Sequence, residues 1–212
     1  MEESKPSTTE LLSKPAAEIT AFLGSVYEHS AWVAEELTSK PESYASIESV
    51  TQLAAVMKAI VDGTSRETKV ALLRSHPDLC EKVGKLDSLT KESQEEQSRS
   101  GLQTLTEEEI GRFTKYNTEY RERFGFPFIL AVRNATKFTV LAALNGRVKN
   151  ALEVEFVTAL QQVHKIAWMR LLTKLDTSDA KGFLTCHVLD TANGCPGNAH
   201  NFVCSCVMFD AV

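Results

Sequence analysis

Apolar residues recur at helical spacing through most of this chain. Ile19, Phe22, Leu23, Val26 and Tyr27 form one stripe behind Pro15, which suits a first helical turn, and Trp32, Val33 and Leu37 form a second that Pro41 interrupts. Ser46 to Asp62 reads as an amphipathic helix with Ser46 as N-cap, Val50, Leu53, Ala54, Met57, Ile60 and Val61 on one face, and Gly63 as its stop. Ser65 can cap the next helix, whose buried side is Val70, Leu72 and Leu73. That helix should end just ahead of Pro77, because proline crowds the residue before it out of the α region. His76 is therefore expected at a helix end, extended, where its ring can project into a cleft.

Residues 81–89 read as a connection, and Thr90 then starts a helix on which Ser93, Glu96 and Gln97 share one face and Glu92, Glu95 and Arg99 the other. Thr106 to Glu109 is a capping box opening a long helix, with Ile110, Phe113, Tyr116, Tyr120 and Phe124 toward the core and Gly125 at its end. Phe126 to Val132 has β-propensity but no partner strand elsewhere, so it reads as a buried extended or helical segment. Helices then fill Thr136 to Lys149 and Ala151 to Leu175, the second with Leu152, Phe156, Ala159, Leu160, Val163, Ile166, Ala167 and Leu171 inward. His164 on that helix reads as solvated or capping, and His29 as a surface or helix-end residue. After Lys174 small polar residues take over, followed by a strand-like run at 183–190 and a turn at Asn193-Gly194.

The organisation expected is all-α: a flexible N-terminus (1–14), a single helical domain (15–175), a linker (176–182) and an incomplete, strand-like C-terminal tail (183–212). The 212 residues suffice for one sizeable core, and 43% hydrophobic and 24% charged residues with only 10 Gly and 6 Pro suit a soluble helical protein. A net charge of -5 without a long Lys/Arg run argues against nucleic acid as a partner. Without a long apolar run or a signal-like N-terminus, neither membrane nor export is expected. Five Cys, four of them near the C-terminus, exclude a disulfide framework for the main domain and fit reduced thiols in a cytoplasmic or peroxisomal compartment.

His76 and Glu96 are the His and carboxylate expected to face a cleft without a neighbouring counter-ion. Together they could trade or orient protons without a metal. From spacing alone, His76 reads as readily as a helix-ending residue bonded to backbone, and Glu96 as one surface acid among many. His187, Cys195, His200, Cys204 and Cys206 have zinc-ligand chemistry, but Cys-x-Cys without a paired Cys-x-x-Cys is a weak spacing signal. Neither a Gly-rich phosphate loop after a strand nor a serine elbow is present.

Three blocks bear a resemblance. Arg-Ser-His-Pro-Asp-Leu (74–79), Leu-Thr-x-Glu-Ser-Gln-Glu-Glu-Gln-Ser (89–98) and Glu-Arg-Phe-Gly-Phe-Pro-Phe-Ile-Leu-Ala-Val-Arg (122–133) are similar to the signatures of the 2-oxo-4-hydroxy-4-carboxy-5-ureidoimidazoline (OHCU) decarboxylase family. The resemblance spans roughly residues 15–175. It implies an all-α fold, no cofactor, no metal, and conversion of a small ureidoimidazoline substrate to (S)-allantoin in urate degradation. It also implies His76 and Glu96 as catalytic residues, with His76 delivering a proton and Glu96 orienting it or the substrate.

The substrate-binding positions it implies are Pro77, Ser93, Gln94, Glu95, Gln97, Phe128, Ile129, Leu130, Ala131 and Val132, with Arg133 as a cationic partner. Family members are commonly dimers, which leaves a homodimer open. Residues 184–196 resemble the opening strand of transthyretin-like 5-hydroxyisourate hydrolases, fused to the decarboxylase in plants, with His187 matching a catalytic histidine. Most of that domain has no counterpart here, so the tail reads as a truncated fusion without hydrolase activity, and the C-terminus shows no peroxisomal Ser-Lys-Leu address. The alternative is a non-catalytic helical interaction protein left by that truncation; a zinc-binding tail is a third reading.

Overall fold

A computed structural model describes residues 4–79, 105–133 and 135–178, with the backbone of 189–190 and 195–196. The helices among these residues are α1 (Thr8–Leu12), α2 (Ala16–Leu23), α3 (Trp32–Thr38), α4 (Val50–Asp62), α5 (Arg66–Ser75), α6 (Glu107–Phe124), α7 (Lys137–Arg147) and α8 (Leu152–Lys174), with a 3₁₀ turn at Pro41–Ser43. The architecture is all-α, as the stripes foretold. α3 packs on α2 and α4, α4 and α5 lie against α8, and α6 meets α7 and α8, so the long α8 is the common wall of the bundle.

Caps set most of the boundaries. Ser65, Thr106 and Thr136 each take a backbone N–H of the first turn on their hydroxyl, and Thr106 forms the expected capping box with Glu109. Gly125 closes α6 at φ 73, in the left-handed region that glycine enters without a Cβ penalty. α4 starts later than expected. Ser49, extended at φ -142 and ψ 156, accepts the Gln52 N–H, whereas Ser46 belongs to the preceding turn.

The first 14 residues are not irregular throughout. Ser7 and Glu10 form a second capping box, and α1 buries Leu11 completely in the core. Leu152 also departs from expectation: it lies at the first turn of α8 and is 58% exposed, while Phe156, Ala159, Leu160, Val163, Ile166, Ala167 and Leu171 all face inward.

Residues 126–132 run through the interior outside any helix or strand, with Leu130 half-exposed. Side chains take the place of a ladder: Arg147 donates to the Ile129 carbonyl at 2.8 Å, and the Ala131 N–H donates to Gln162 Oε1 at 3.1 Å. In the tail, β1 (Leu189–Asp190) pairs antiparallel with β2 (Cys195–Pro196), Leu189 opposite Pro196 and Asp190 opposite Cys195. Among the described residues no helix is long and apolar enough to cross a membrane.

Candidate active site around His76

His76 caps the C-terminus of α5 in extended geometry, φ -72 and ψ 138, as the following proline requires. Its ring is not solvated, at 7% exposure. Nδ1 lies 3.1 Å from the Leu72 carbonyl oxygen. A carbonyl only accepts, so Nδ1 bears the proton and Nε2 is left as the basic nitrogen. Burial pushes the ring down from its ordinary 6.5 to about 4; the bond to Leu72 and the Glu28 charge oppose that shift, while Arg170 and His29 reinforce it. At neutral pH His76 is a neutral base of fixed tautomer. It must therefore take a proton before it can deliver one.

The flanking residues hold this turn from three sides. Ser75 Oγ is shared between the carbonyls of Leu72 at 2.8 Å and Glu28 at 3.1 Å. Arg74 Nε donates to the Gly125 carbonyl at 2.8 Å, which ties the histidine turn to the start of the 126–132 segment. Asp78, buried, accepts from Asn117 Nδ2 at 3.2 Å and from Arg121, both on α6. Pro77 is half-buried between them.

Two groups near His76 escaped the sequence reading. Glu28, 1% exposed, sits in the connection between α2 and α3 and pairs with Arg170 of α8 at 2.6 Å. Arg170 also donates to the Ser25 carbonyl at 3.2 Å. A signal for it existed: position 170 falls three and four residues after the inward Ala167 and Ile166, so an arginine occupies the apolar phase of its helix.

The wall expected at Phe128 to Val132 is buried, with Leu130 half-exposed. Behind it lies a network that the sequence did not reveal. Glu155, fully buried, accepts from Arg147 at 2.6 and 2.9 Å, from Asn150 at 2.7 Å and from the Tyr120 hydroxyl. The Arg147 guanidinium also lies 4.6 Å from the Phe128 ring centroid. Arg133 is exposed and donates at 3.4 Å to the Met169 carbonyl and at 3.5 Å to Thr173 Oγ1 on α8, apart from these contacts.

His164 is the clearest correction. Expected to be solvated or capping, it is 4% exposed, with Nδ1 at 3.0 Å from the Tyr27 hydroxyl and Nε2 at 3.1 Å from Asp62. Helical phase alone places residue 164 beside Val163, and only tertiary packing brings Asp62 of α4 and Tyr27 of the α2–α3 connection to it.

Glu96, Ser93, Gln94, Glu95 and Gln97 lie outside the described residues, as do His187, His200, Cys204, Cys206 and the side chain of Cys195. Among the described residues no group of three or more His, Cys, Asp and Glu side chains is set to hold a metal ion.

The OHCU decarboxylase family profile matches residues 13–172. The chain is 41% identical over 160 residues to the 2-oxo-4-hydroxy-4-carboxy-5-ureidoimidazoline decarboxylase of Haloferax volcanii, covering 75% of this chain and 89% of that protein. It is 38% identical over 154 residues to the uric acid degradation bifunctional protein of Bacillus subtilis, covering 72% of this chain but only 29% of that one. Among solved structures, an (S)-allantoin synthase is 59% identical at a TM-score of 0.72, over 90% of this chain and 62% of that chain. This chain thus spans about three fifths of that synthase. An OHCU decarboxylase crystallised in the presence of (S)-allantoin shares the fold at a TM-score of 0.55 and 18% identity, over 72% of this chain and 96% of that one.

Proposed function

The chain belongs to the OHCU decarboxylase family, and from that premise we propose that its helical domain converts 2-oxo-4-hydroxy-4-carboxy-5-ureidoimidazoline to (S)-allantoin with His76 as the proton-handling base. It is a carboxy-lyase of urate degradation. The observation that supports the role of His76 is its ring state: neutral, buried and fixed through Nδ1–H to Leu72, which leaves Nε2 to work on substrate.

The chemistry suits such a base. When the bond from C4 to its carboxylate breaks, CO2 leaves and the electron pair moves toward C5 and the imine nitrogen of the ring, which gains a proton from water. Nε2 takes the C4 hydroxyl proton, C4 becomes a carbonyl, and the same proton is returned to one face of C5. One proton is consumed overall, and the face addressed sets the configuration of allantoin. A dry wall favours the step, because a carboxylate stripped of water loses CO2 more easily than a solvated one. Phe128, Ile129, Ala131 and Val132 supply apolar surface of that kind.

Glu96 is proposed to orient the substrate or His76, with Ser93, Gln94, Glu95 and Gln97 binding its ureido and ring polar atoms. Arg133 is retained only as a cation able to meet the substrate carboxylate from outside. For assembly, a homodimer is proposed; the exposed Leu152, Val154 and Val157 on α8 offer apolar area that such a contact could cover. Light scattering on the purified chain tests that point. The decisive experiment for the reaction is CO2 release from freshly generated substrate, with chiral analysis of the allantoin: racemic product at the uncatalysed rate would overturn the proposal.

A further inference from the structure

We propose that Glu28 is a positioning residue for the decarboxylation, holding the Ser75-His76 turn and Arg170 in one dry cluster so that His76 keeps the orientation it needs. The proposal rests on the reading of His76 as the working base. Glu28 acts through two different groups. Its carbonyl accepts Ser75 Oγ at 3.1 Å, one residue before His76, and its carboxylate, wholly removed from solvent, pairs with Arg170 at 2.6 Å.

The segment around Glu28 is over-determined. Tyr27 on one side is tied through its hydroxyl to His164 at 3.0 Å, and His29 on the other adopts φ 47, the one left-handed non-glycine residue among those described. Left-handed backbone at a residue with a Cβ persists only where surrounding contacts enforce it. The Ser30 N–H closes a tight turn on the Tyr27 carbonyl at 3.0 Å. Glu28 is thereby aimed inward with little freedom.

A buried ion pair adds little stability over packed apolar side chains, because both charges give up their water. What the pair does add is geometry: it fixes the connection between α2 and α3 against α8 at the level of the histidine turn. The charged and titratable groups acting on the ring are Glu28 and His29 from that connection and Arg170 from α8. Glu28 and Arg170 have opposite signs, so their effects on the ring oppose one another.

The test uses the whole 212-residue chain in three variants. Glu28→Gln removes the charge and keeps the shape; Glu28→Gln with Arg170→Gln removes both charges, so that neither is left without its ionic partner; Glu28→Asp keeps the charge on a shorter arm. Steady-state kinetics are read together with the ring 15N spectrum of His76, assigned by its absence in His76→Asn. The expected result is a fall in kcat of about a hundredfold in the first two variants, the loss typical of a displaced catalytic group. KM should change far less, the Nδ1–H tautomer should no longer be fixed, and Asp should restore part of kcat. A folded double variant with near wild-type kcat and an unaltered ring spectrum, while His76→Asn is inactive, would overturn this proposal alone. Full activity of His76→Asn would instead remove the reading beneath it.

Discussion

Arg147 donates to the carbonyl of Ile129 at 2.8 Å while its guanidinium spreads over the neighbouring Phe128 ring. One side chain thus serves backbone that lies outside any helix or strand, and shields the aromatic behind the proposed substrate wall. The guanidinium is anchored in turn by Glu155, so the wall stands on a buried charge network and not on apolar packing alone.

Replacing Arg147 by Met should therefore destabilise the fold by about 3–5 kcal/mol, because Glu155 stays buried without its cation. Changing Glu155 to Leu as well should recover a large part of that loss. Urea unfolding of both variants measures it, and equal stability of the single and double variants would show that the network is not coupled.

His76→Asn should abolish (S)-allantoin formation, with a loss of at least about a hundredfold expected for a general acid–base group. The stability cost should stay near about 1 kcal/mol, the worth of the one hydrogen bond to Leu72. Chiral chromatography and thermal melts read the two effects separately. A variant that keeps its activity would end the assignment of His76.

How much of this was legible beforehand follows from which interactions are local. Helix existence, the Thr106 cap, the Gly125 stop and the extended His76 ahead of Pro77 depend on neighbours within four residues, and the chain shows them directly. The Ser46 cap was misplaced by three residues because two serines compete and the preceding turn decides between them. Glu28 with Arg170, and His164 with Tyr27 and Asp62, join segments far apart in the chain, and Arg147 with Glu155 joins two consecutive helices across their connection. Periodicity can mark such a residue as misplaced, but only packing names its partner.

Stability should depend on pH through His76. Its folded-state pKa, about 4, lies below the ordinary 6.5 to which it returns on unfolding. Between those values the unfolded chain binds a proton that the folded chain refuses, so stability rises with pH through the window and is lost as pH falls from about 6.5 toward about 4. His164 acts in the same direction, since burial also pushes it down against the pull of Asp62. The ceiling for His76 is about 3 kcal/mol. Denaturant midpoints at about pH 7.5 and about pH 5 should therefore differ more in wild type than in His76→Asn, the comparison cancelling the carboxylates common to both. Identical differences would mean the ring is not held neutral by the fold.

Deleting residues 177–212 should leave decarboxylation intact. The helical domain is closed before that point: Leu175 is buried, the Asp176 N–H donates to the Pro6 carbonyl at 3.0 Å so that residue 176 is fastened to the segment before α1, and Thr177 and Ser178 are exposed. The family profile stops at residue 172. Beyond the junction the described structure is a ladder of two residues against two, and a hairpin that short is not stable in water unless something covers it. The melting temperature should shift by no more than about 2 °C, corresponding to less than about 1 kcal/mol in a domain of this size. The full chain is expected to show no 5-hydroxyisourate hydrolysis, and limited proteolysis should cut first after residue 178, where the described side chains are already exposed. If removing the tail instead stops decarboxylation, or protease leaves it whole, then residues 183–212 pack on the helical domain as a working part of it and the division drawn at 176–182 is wrong.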